Sequence, residues 1–166
     1  MKRNKDVFLI ELDKAILLGL FKAFCEKYNS TDKKVKLRNI MYYSSNHLLT
    51  IQNLFKSELE ESLEEAEAKK MDELVNAFLN KSTHRKNIPD SKKKSLLSQQ
   101  DYKCAICNST IDIHTADADH IVPFKYVGDE LDNNLQMLCS HCNKTKNASI
   151  DYQIRYWLKL VKEATR

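Results

Sequence analysis

Two pairs of cysteines decide how this chain of 166 residues folds: Cys104-Ala-Ile-Cys107 and Cys139-Ser-His-Cys142. Each pair offers two thiolates at the C-x-x-C spacing, and four thiolates form a closed tetrahedral site for Zn²⁺. The 31 residues between the pairs, 108–138, exceed the ~15–20 residues of a simple two-knuckle site. We therefore expect the zinc to close the base of a larger inserted unit. A redox dithiol or two disulfides is the alternative interpretation of the same cysteines.

Composition favours a helical, soluble protein. The chain has only Gly 2 and Pro 2, which argues against a sandwich, a barrel or a doubly wound sheet. The net charge of +4 is too small to identify a nucleic-acid partner. The start, Met1-Lys-Arg-Asn-Lys5, resembles a signal peptide, but Glu11, Asp13 and Lys14 interrupt the apolar stretch that follows. We expect no signal or membrane anchor and a cytoplasmic location, where metal binding explains paired cysteines better than disulfides do. Cys25 fits a buried small apolar residue.

Helical periodicity dominates both ends of the chain. Residues 6–28 form a predicted amphipathic helix. No Gly or Pro occurs from Val35 to Asn80, where apolar residues keep the helical period, so we predict one long helix or two joined by a slight break, packed on the first as a hairpin. A short helix through Gln99 and a final helix over 149–163 are also predicted, the final one covering the domain before it. The stripe of the first helix comprises Leu9, Leu12, Ile16, Leu20 and Phe24.

Charge is distributed unevenly along the middle of the chain. Residues 58–73 hold eight acidic and two basic side chains, which is typical of a solvated helix face. Residues 81–94 hold six basic side chains and one acidic side chain. This basic segment is either a phosphate-contacting surface or a hydrophilic linker. Because Pro89 lies within it, we predict a helical arm over 1–83 and a second domain over 84–166. The basic residues considered for phosphate contact are Lys92, Lys93 and Lys94.

Three further motifs accompany the cysteines: Ala118-Asp-His-Ile-Val-Pro123, Asn134-Leu-Gln-Met-Leu-Cys139 and Asn143-Lys-Thr-Lys146. The order C-x-x-C, D-H-I-x-P, N-L-Q-x-L-C-x-x-C-N-x-x-K resembles the HNH endonuclease family and its ββα-metal fold. The resemblance covers roughly residues 104–146. It implies a zinc-stapled ββα-metal HNH domain. Together with the helices predicted from periodicity, the expected fold is mainly α with a small α+β part: an N-terminal helical hairpin, the HNH domain and a C-terminal helix.

The resemblance also implies a chemistry, namely phosphodiester hydrolysis. That reaction needs an attacking water, a base, and stabilisation of charge on the phosphate. His120 is the candidate base, since an imidazole near neutral pH can accept a proton. By resemblance, Asp119 and Asn143 hold a divalent cation, and such oxygen ligands suit Mg²⁺ or Mn²⁺. Asp117 is interpreted as a solvent-facing strand residue.

The remaining motif residues receive supporting roles by the same resemblance. Asn134 aligns with the middle position of the family pattern and is expected to orient the loop and the imidazole of His120. Lys146 matches the trailing lysine of the family and, with Lys144, is expected to contact phosphate. The usual glycine pair after the first strand is represented by Gly128 alone, so the path of that loop is not predicted.

Several functions are compatible with these patterns. The first is a metal-dependent endonuclease that acts on DNA, double-stranded by expectation, in restriction or phage defence; DNA and the pathway are expected from the resemblance alone. The second is a zinc-stapled nucleic-acid-binding module without catalysis. The third is an assembly subunit whose helical arm docks a partner. The arm is accordingly expected to form a homodimer or to bind a regulatory ATPase.

Overall fold

The structure, a computed structural model, describes residues 2–165. Within that range the chain forms eight helices and one sheet of two strands, so the predicted mainly helical fold with a small α+β part is confirmed. No helix in the described range is long and apolar enough to span a membrane. The elements are α1 (Lys2–Lys27), α2 (Thr31–Tyr42), α3 (His47–Leu59), α4 (Glu65–Asn80), α5 (Asp90–Gln99), β1 (Ala116–His120), α6 (Phe124–Val127), β2 (Leu135–Cys139), α7 (Ser140–Lys146) and α8 (Ile150–Ala164).

The stretch from Val35 to Asn80 is divided into three helices, where one or two were predicted. Polar residues make the breaks without glycine or proline. Asn46 caps α3 by accepting a hydrogen bond from the Leu49 N–H at 3.1 Å. Glu60 ends α3 in the left-handed conformation, with φ of 61°. Side-chain capping thus offsets the helical preference of the flanking residues, and the predicted hairpin becomes a four-helix arm.

The arm shares a hydrophobic core with the rest of the chain. Phe24 and Phe55 stack with ring centroids 4.7 Å apart. Phe21 meets Tyr126 of α6 edge-on at 6.3 Å, and the same cluster includes Val122 and Ile150. Contacts therefore cross the boundary proposed at residue 84, which remains a prediction.

Helix α8 lies mainly along α1. The sequence predicted instead that α8 covers the domain that precedes it. Its Ile154 and Trp157 pack against the arm's core, while Leu158 is exposed. Because α1 contacts α3, α4 and α8, its buried face differs from the predicted stripe. Leu17, Leu18 and Phe21 are buried, whereas Leu9 and Ile16 of the predicted stripe are exposed.

The sheet and α7 form the ββα unit. Strands β1 and β2 pair antiparallel, with Asp119 opposite Gln136, and α7 contacts both strands. Helix α5 packs against β2. The predicted α5 is confirmed, and a second core lies beneath it: Leu96, Leu97, Cys104, Ile111, Met137, Leu138 and Cys142.

Candidate active site and metal centre

The two cysteine pairs meet at one point. Their four sulfur atoms lie within 4.8 Å of one another, and none of the four is in a disulfide. Zn–S bonds of about 2.3 Å place tetrahedral sulfurs about 3.8 Å apart, and the Sγ atoms of Cys107 and Cys139 are 3.8 Å apart. The four thiols are therefore positioned to bind a metal, as predicted, and the set is consistent with structural zinc.

Hydrogen bonds from neighbouring groups favour thiolates at this centre. The Cys139 N–H donates to Cys104 Sγ, and the Cys142 N–H donates to Cys139 Sγ, both at 3.4 Å. A hydrogen bond with Ser109, whose Oγ lies 3.1 Å from Cys107 Sγ, lowers the pKa of Cys107 to about 6. Burial raises the pKa of Cys142, and a bound cation would oppose that effect because coordination favours the thiolate.

Asp119 lies near the end of β1 with a half-buried carboxylate. Its Oδ2 accepts from Gln136 Nε2 at 3.0 Å and pairs with Lys146 Nζ at 2.9 Å. Lys146 Nζ also donates to the His120 carbonyl oxygen at 2.7 Å. Lys146 is fully buried, so this structure places its ammonium on Asp119 and not at the surface, where a phosphate contact was expected.

His120 is buried at the last position of β1. Its Nε2 lies 2.8 Å from Asp129 Oδ1, and its ring meets Phe124 edge-on with centroids 5.5 Å apart. The other Asp129 oxygen accepts from the Lys86 N–H at 2.7 Å. Burial alone would raise the pKa of Asp129, but the hydrogen bonds from Lys86 and His120 outweigh it and lower the pKa. Asp129 lies outside the motifs that the sequence offers for the site.

Asn143 is placed by the first turn of α7, directly after Cys142. Its Nδ2 donates to Asp117 Oδ2 at 3.2 Å. Asp117 is half-buried and lies two residues before Asp119 on the same strand, so its interpretation as a solvent-facing residue is corrected here. Because alternate strand residues share a face, Asp117 and Asp119 are on one side of β1, and the step of two between them was the signal available in the sequence.

Asn134 is buried and bonded through both polar atoms to a single residue. Its Oδ1 accepts from the Val122 N–H at 2.7 Å, and its Nδ2 donates to the Val122 carbonyl at 2.9 Å. These bonds hold the chain two residues beyond His120. Asn134 therefore contacts the loop after β1, while the imidazole itself contacts Asp129 and Phe124.

The lysines considered for phosphate contact occupy different surroundings. Lys144 is exposed on α7, and Lys92 and Lys94 are exposed on α5. Lys93 is half-buried and pairs with Asp90 at 3.3 Å. The structure thus leaves three of these side chains open to solvent.

Residues 104–149 match the family model described as HNH endonuclease. The match spans both cysteine pairs, both strands and α7, and the resemblance predicted from the sequence is confirmed for this segment. It does not include α1 to α5. Neither the curated proteins nor the solved structures gave a match to the chain.

Proposed function

We propose that the protein is a metal-dependent endonuclease that hydrolyses phosphodiester bonds in DNA. The observation that carries this proposal is the HNH endonuclease match over 104–149. That segment contains Asp119, His120 and Asn143, the residues that the sequence resemblance assigns to the site. A phosphate-cleaving site built on a zinc-linked ββα unit would explain why the cysteines, the strands and α7 occur together. DNA as substrate and a role in restriction or phage defence remain expectations from the resemblance.

In this proposal His120 acts as the general base. Its ring is held between Asp129 and Phe124, which fixes the imidazole without occupying both nitrogens. A positioned base contributes about 10²- to 10⁴-fold to a reaction of this kind. His120 therefore accounts for the proton that leaves the attacking water.

The cation would be held by Asp119 and Asn143, and we add Asp117 as a third oxygen donor. Two carboxylates and an amide oxygen are hard ligands that fit Mg²⁺ or Mn²⁺. Both described contacts of Asp119 use Oδ2, which leaves Oδ1 available to a cation. When bound, the cation would neutralise charge on the scissile phosphate and on the leaving oxygen.

Lys146 receives a positioning role in place of phosphate contact. Its ammonium contacts both the Asp119 carboxylate and the His120 carbonyl oxygen. It therefore holds the last two residues of β1 in place. Phosphate contact is assigned to the exposed lysines, Lys144 on α7 and Lys92 and Lys94 on α5, with Lys93 beside them. Cleavage should accordingly weaken as salt rises.

One experiment tests the proposal directly. Purified full-length protein should nick supercoiled plasmid DNA in Mg²⁺ or Mn²⁺, and His120→Ala should lose that activity by at least about a hundredfold. Zinc content and helical circular dichroism should be the same in both proteins. Equal cleavage by His120→Ala would remove His120 as the base, and no cleavage by the wild type under any divalent cation would overturn the proposal.

One observation favours the alternative of a non-catalytic nucleic-acid-binding module. Asp119 already has the Lys146 ammonium as a buried partner, which reduces the need for a second cation. Calorimetric titration of Mn²⁺ separates the two functions, because the nuclease requires a site lost in Asp119→Ala and the binding module does not.

The homodimer and the regulatory ATPase partner also remain predictions. Neither affects the chemistry proposed for the site. Sedimentation of the full-length protein would show whether it self-associates, and a monomer at all concentrations would contradict the homodimer.

A further inference from the structure

The Asp129 carboxylate connects the candidate base to a segment far away in sequence. One oxygen lies 2.8 Å from His120 Nε2 and the other accepts from the Lys86 backbone N–H at 2.7 Å. Lys86 precedes α5 and lies outside the 104–149 match. An ionised carboxylate accepts hydrogen bonds and donates none. In its neutral form the His120 imidazole must therefore carry its hydrogen on Nε2, which leaves Nδ1 as the nitrogen with a lone pair.

The chain before α5 also packs directly on the loop that carries Asp129. Gly128 has a φ of 61°, and a Cβ atom there would lie 3.1 Å from the Ser82 nitrogen and from Lys81 Cβ. Both the backbone angle and the close approach favour glycine at this position. Lys81 Nζ donates to the Lys125 carbonyl oxygen. The loop and residues 81–82 are thus in backbone-level contact.

Residues 81–86 also contact the Phe124 ring, the second side chain that packs on the His120 imidazole. The Arg85 guanidinium lies 5.0 Å from the centroid of the Phe124 ring, and that ring packs edge-on against His120. Lys86 Nζ lies 3.8 Å from Glu130, beside Asp129. Residues 81–86 consequently support both side chains that touch the His120 ring.

We propose that Asp129 is a positioning residue for His120, and that residues 81–86 hold Asp129 and Phe124 in place. The inference rests on the proposed nuclease function, in which His120 Nδ1 takes the proton of the attacking water. It extends the site beyond the segment that matches the family, because part of the support for the base comes from the chain that leads out of the helical arm. Partners that orient metal-binding side chains change metal affinity or activity by about 10- to 100-fold, and we expect an effect of the same size for the partner of a base.

The first test compares Asp129→Asn with wild type in plasmid nicking under single-turnover conditions. We expect a 10- to 100-fold loss in the rate of cleavage, with little change in the DNA concentration needed for half the maximal rate. In a His120→Ala background the same substitution should have no further effect. A purely structural role would lower the residual rate in both backgrounds, and that result would overturn the inference.

The second test addresses the contribution of residues 81–86. Lys86→Pro removes the N–H that binds Asp129, whereas Lys86→Ala removes the side chain and keeps the N–H. We expect the proline variant to lose at least tenfold more activity than the alanine variant. Gly128→Ala should move the loop away from residues 81–82 and lower the rate in the same direction. Equal rates for the two Lys86 variants would overturn the role of the segment.

A third measurement does not depend on activity. Long-range ¹H–¹⁵N spectra of the full-length protein, recorded at a pH where the imidazole is neutral, should show the hydrogen of His120 on Nε2, and Asp129→Asn should change that tautomer. If Nδ1 carries the hydrogen in wild type, the inference fails even when the nuclease is active. If wild type has the expected tautomer but cleaves no DNA, the proposed function fails and the hydrogen-bonded pair stands.

Discussion

The Lys146 ammonium is the charge most completely removed from water in the ββα unit, since the residue is fully buried and its Nζ contacts Asp119 and the His120 carbonyl. Breaking a buried ion pair on one side leaves the other charge without compensation. The sequence pattern identified Lys146 by resemblance but placed it at the DNA surface. Its burial follows from the packing of α7 on both strands, which the local sequence does not reveal.

Substitution of Lys146 by methionine keeps most of its volume and removes its charge. We expect Lys146→Met to lower the free energy of unfolding by about 3–5 kcal/mol, because the Asp119 carboxylate would lose its charged partner and keep only the Gln136 amide. Urea denaturation measures this change. Lys144→Met, two residues earlier on α7 and exposed, is the matched control and should change stability by less than about 0.5 kcal/mol. Equal effects of the two substitutions would contradict the buried pair.

Asn134 offers a second test at the scale of one side chain. Its amide both accepts from and donates to the Val122 backbone, and a carboxylate can only accept. Asn134→Asp should therefore destabilise the protein by about 1–3 kcal/mol and slow cleavage, since the chain after His120 would shift. The neighbouring Asn133 is exposed with a φ of 54°, so Asn133→Gly should be close to neutral in thermal melts.

Part of the candidate site could be predicted from the sequence because short spacings constrain geometry. A C-x-x-C pair can place two thiolates on one metal, and Asn143 follows Cys142 directly. The contacts of Asp129 and Asp117 were missed for a different reason. The contact of Asp129 depends on the path of the loop through Gly128, and that of Asp117 depends on how α7 sits on β1; neither is encoded in a local pattern.

Among the elements, α5 and α8 were the helices whose ends were predicted best. Helix α5 and α8 were expected within one or two residues of their observed bounds. The predicted number of helices in residues 35–80 was wrong. The breaks depend on the side-chain cap at Asn46 and on the left-handed conformation of Glu60, whereas glycine or proline would have been the usual sequence signals. The packing of α8 mainly along α1 was not predicted, because its apolar stripe does not specify which surface it covers. The expected cover of the preceding domain is present in part, where Tyr156 donates to the Ala105 carbonyl and Gln136 donates to Gln153.

Strand β2 and helix α7 depend on the thiolate centre, since Cys139 ends the strand and Cys142 lies in the following helix turn. Chelation of the metal should unfold this unit, because coordination supplies folding free energy that a small core lacks. Hydrogen exchange followed by mass spectrometry should show lost protection over 135–146 and retained protection in α3 and α4. Cys139→Ser should reproduce the effect. Uniform loss of protection along the whole chain would contradict this prediction.

Over the whole molecule, one core joins the arm to the segment after residue 84. Phe21 is fully buried and meets Phe78 of α4 and Tyr126 of α6 edge-on, with centroids 6.4 and 6.3 Å apart. Val122 and Ile150 belong to the same cluster. A boundary near residue 84 therefore describes the change from an acidic to a basic stretch of sequence, whereas the hydrophobic packing is continuous across it.

Truncation of that aromatic ring should affect both halves of the protein. We expect Phe21→Ala to lower the free energy of unfolding by about 3–5 kcal/mol through the cavity it leaves. Thermal unfolding observed by circular dichroism and by release of bound metal should shift together. Leu9→Ala, on the same helix but exposed, is the control and should leave both transitions in place. Separate transitions would indicate that the two halves unfold independently.

The position of Trp157 has a practical consequence. It is the chain's single tryptophan, it lies on α8 against the core of the arm, and the Lys14 ammonium of α1 is 6.0 Å from the centroid of its ring. The intrinsic fluorescence of the unlabelled protein thus comes chiefly from the seam between the first and last helices. A shift of its emission to longer wavelength would report in real time, also in the presence of an added macromolecule that lacks tryptophan, that these two helices have separated.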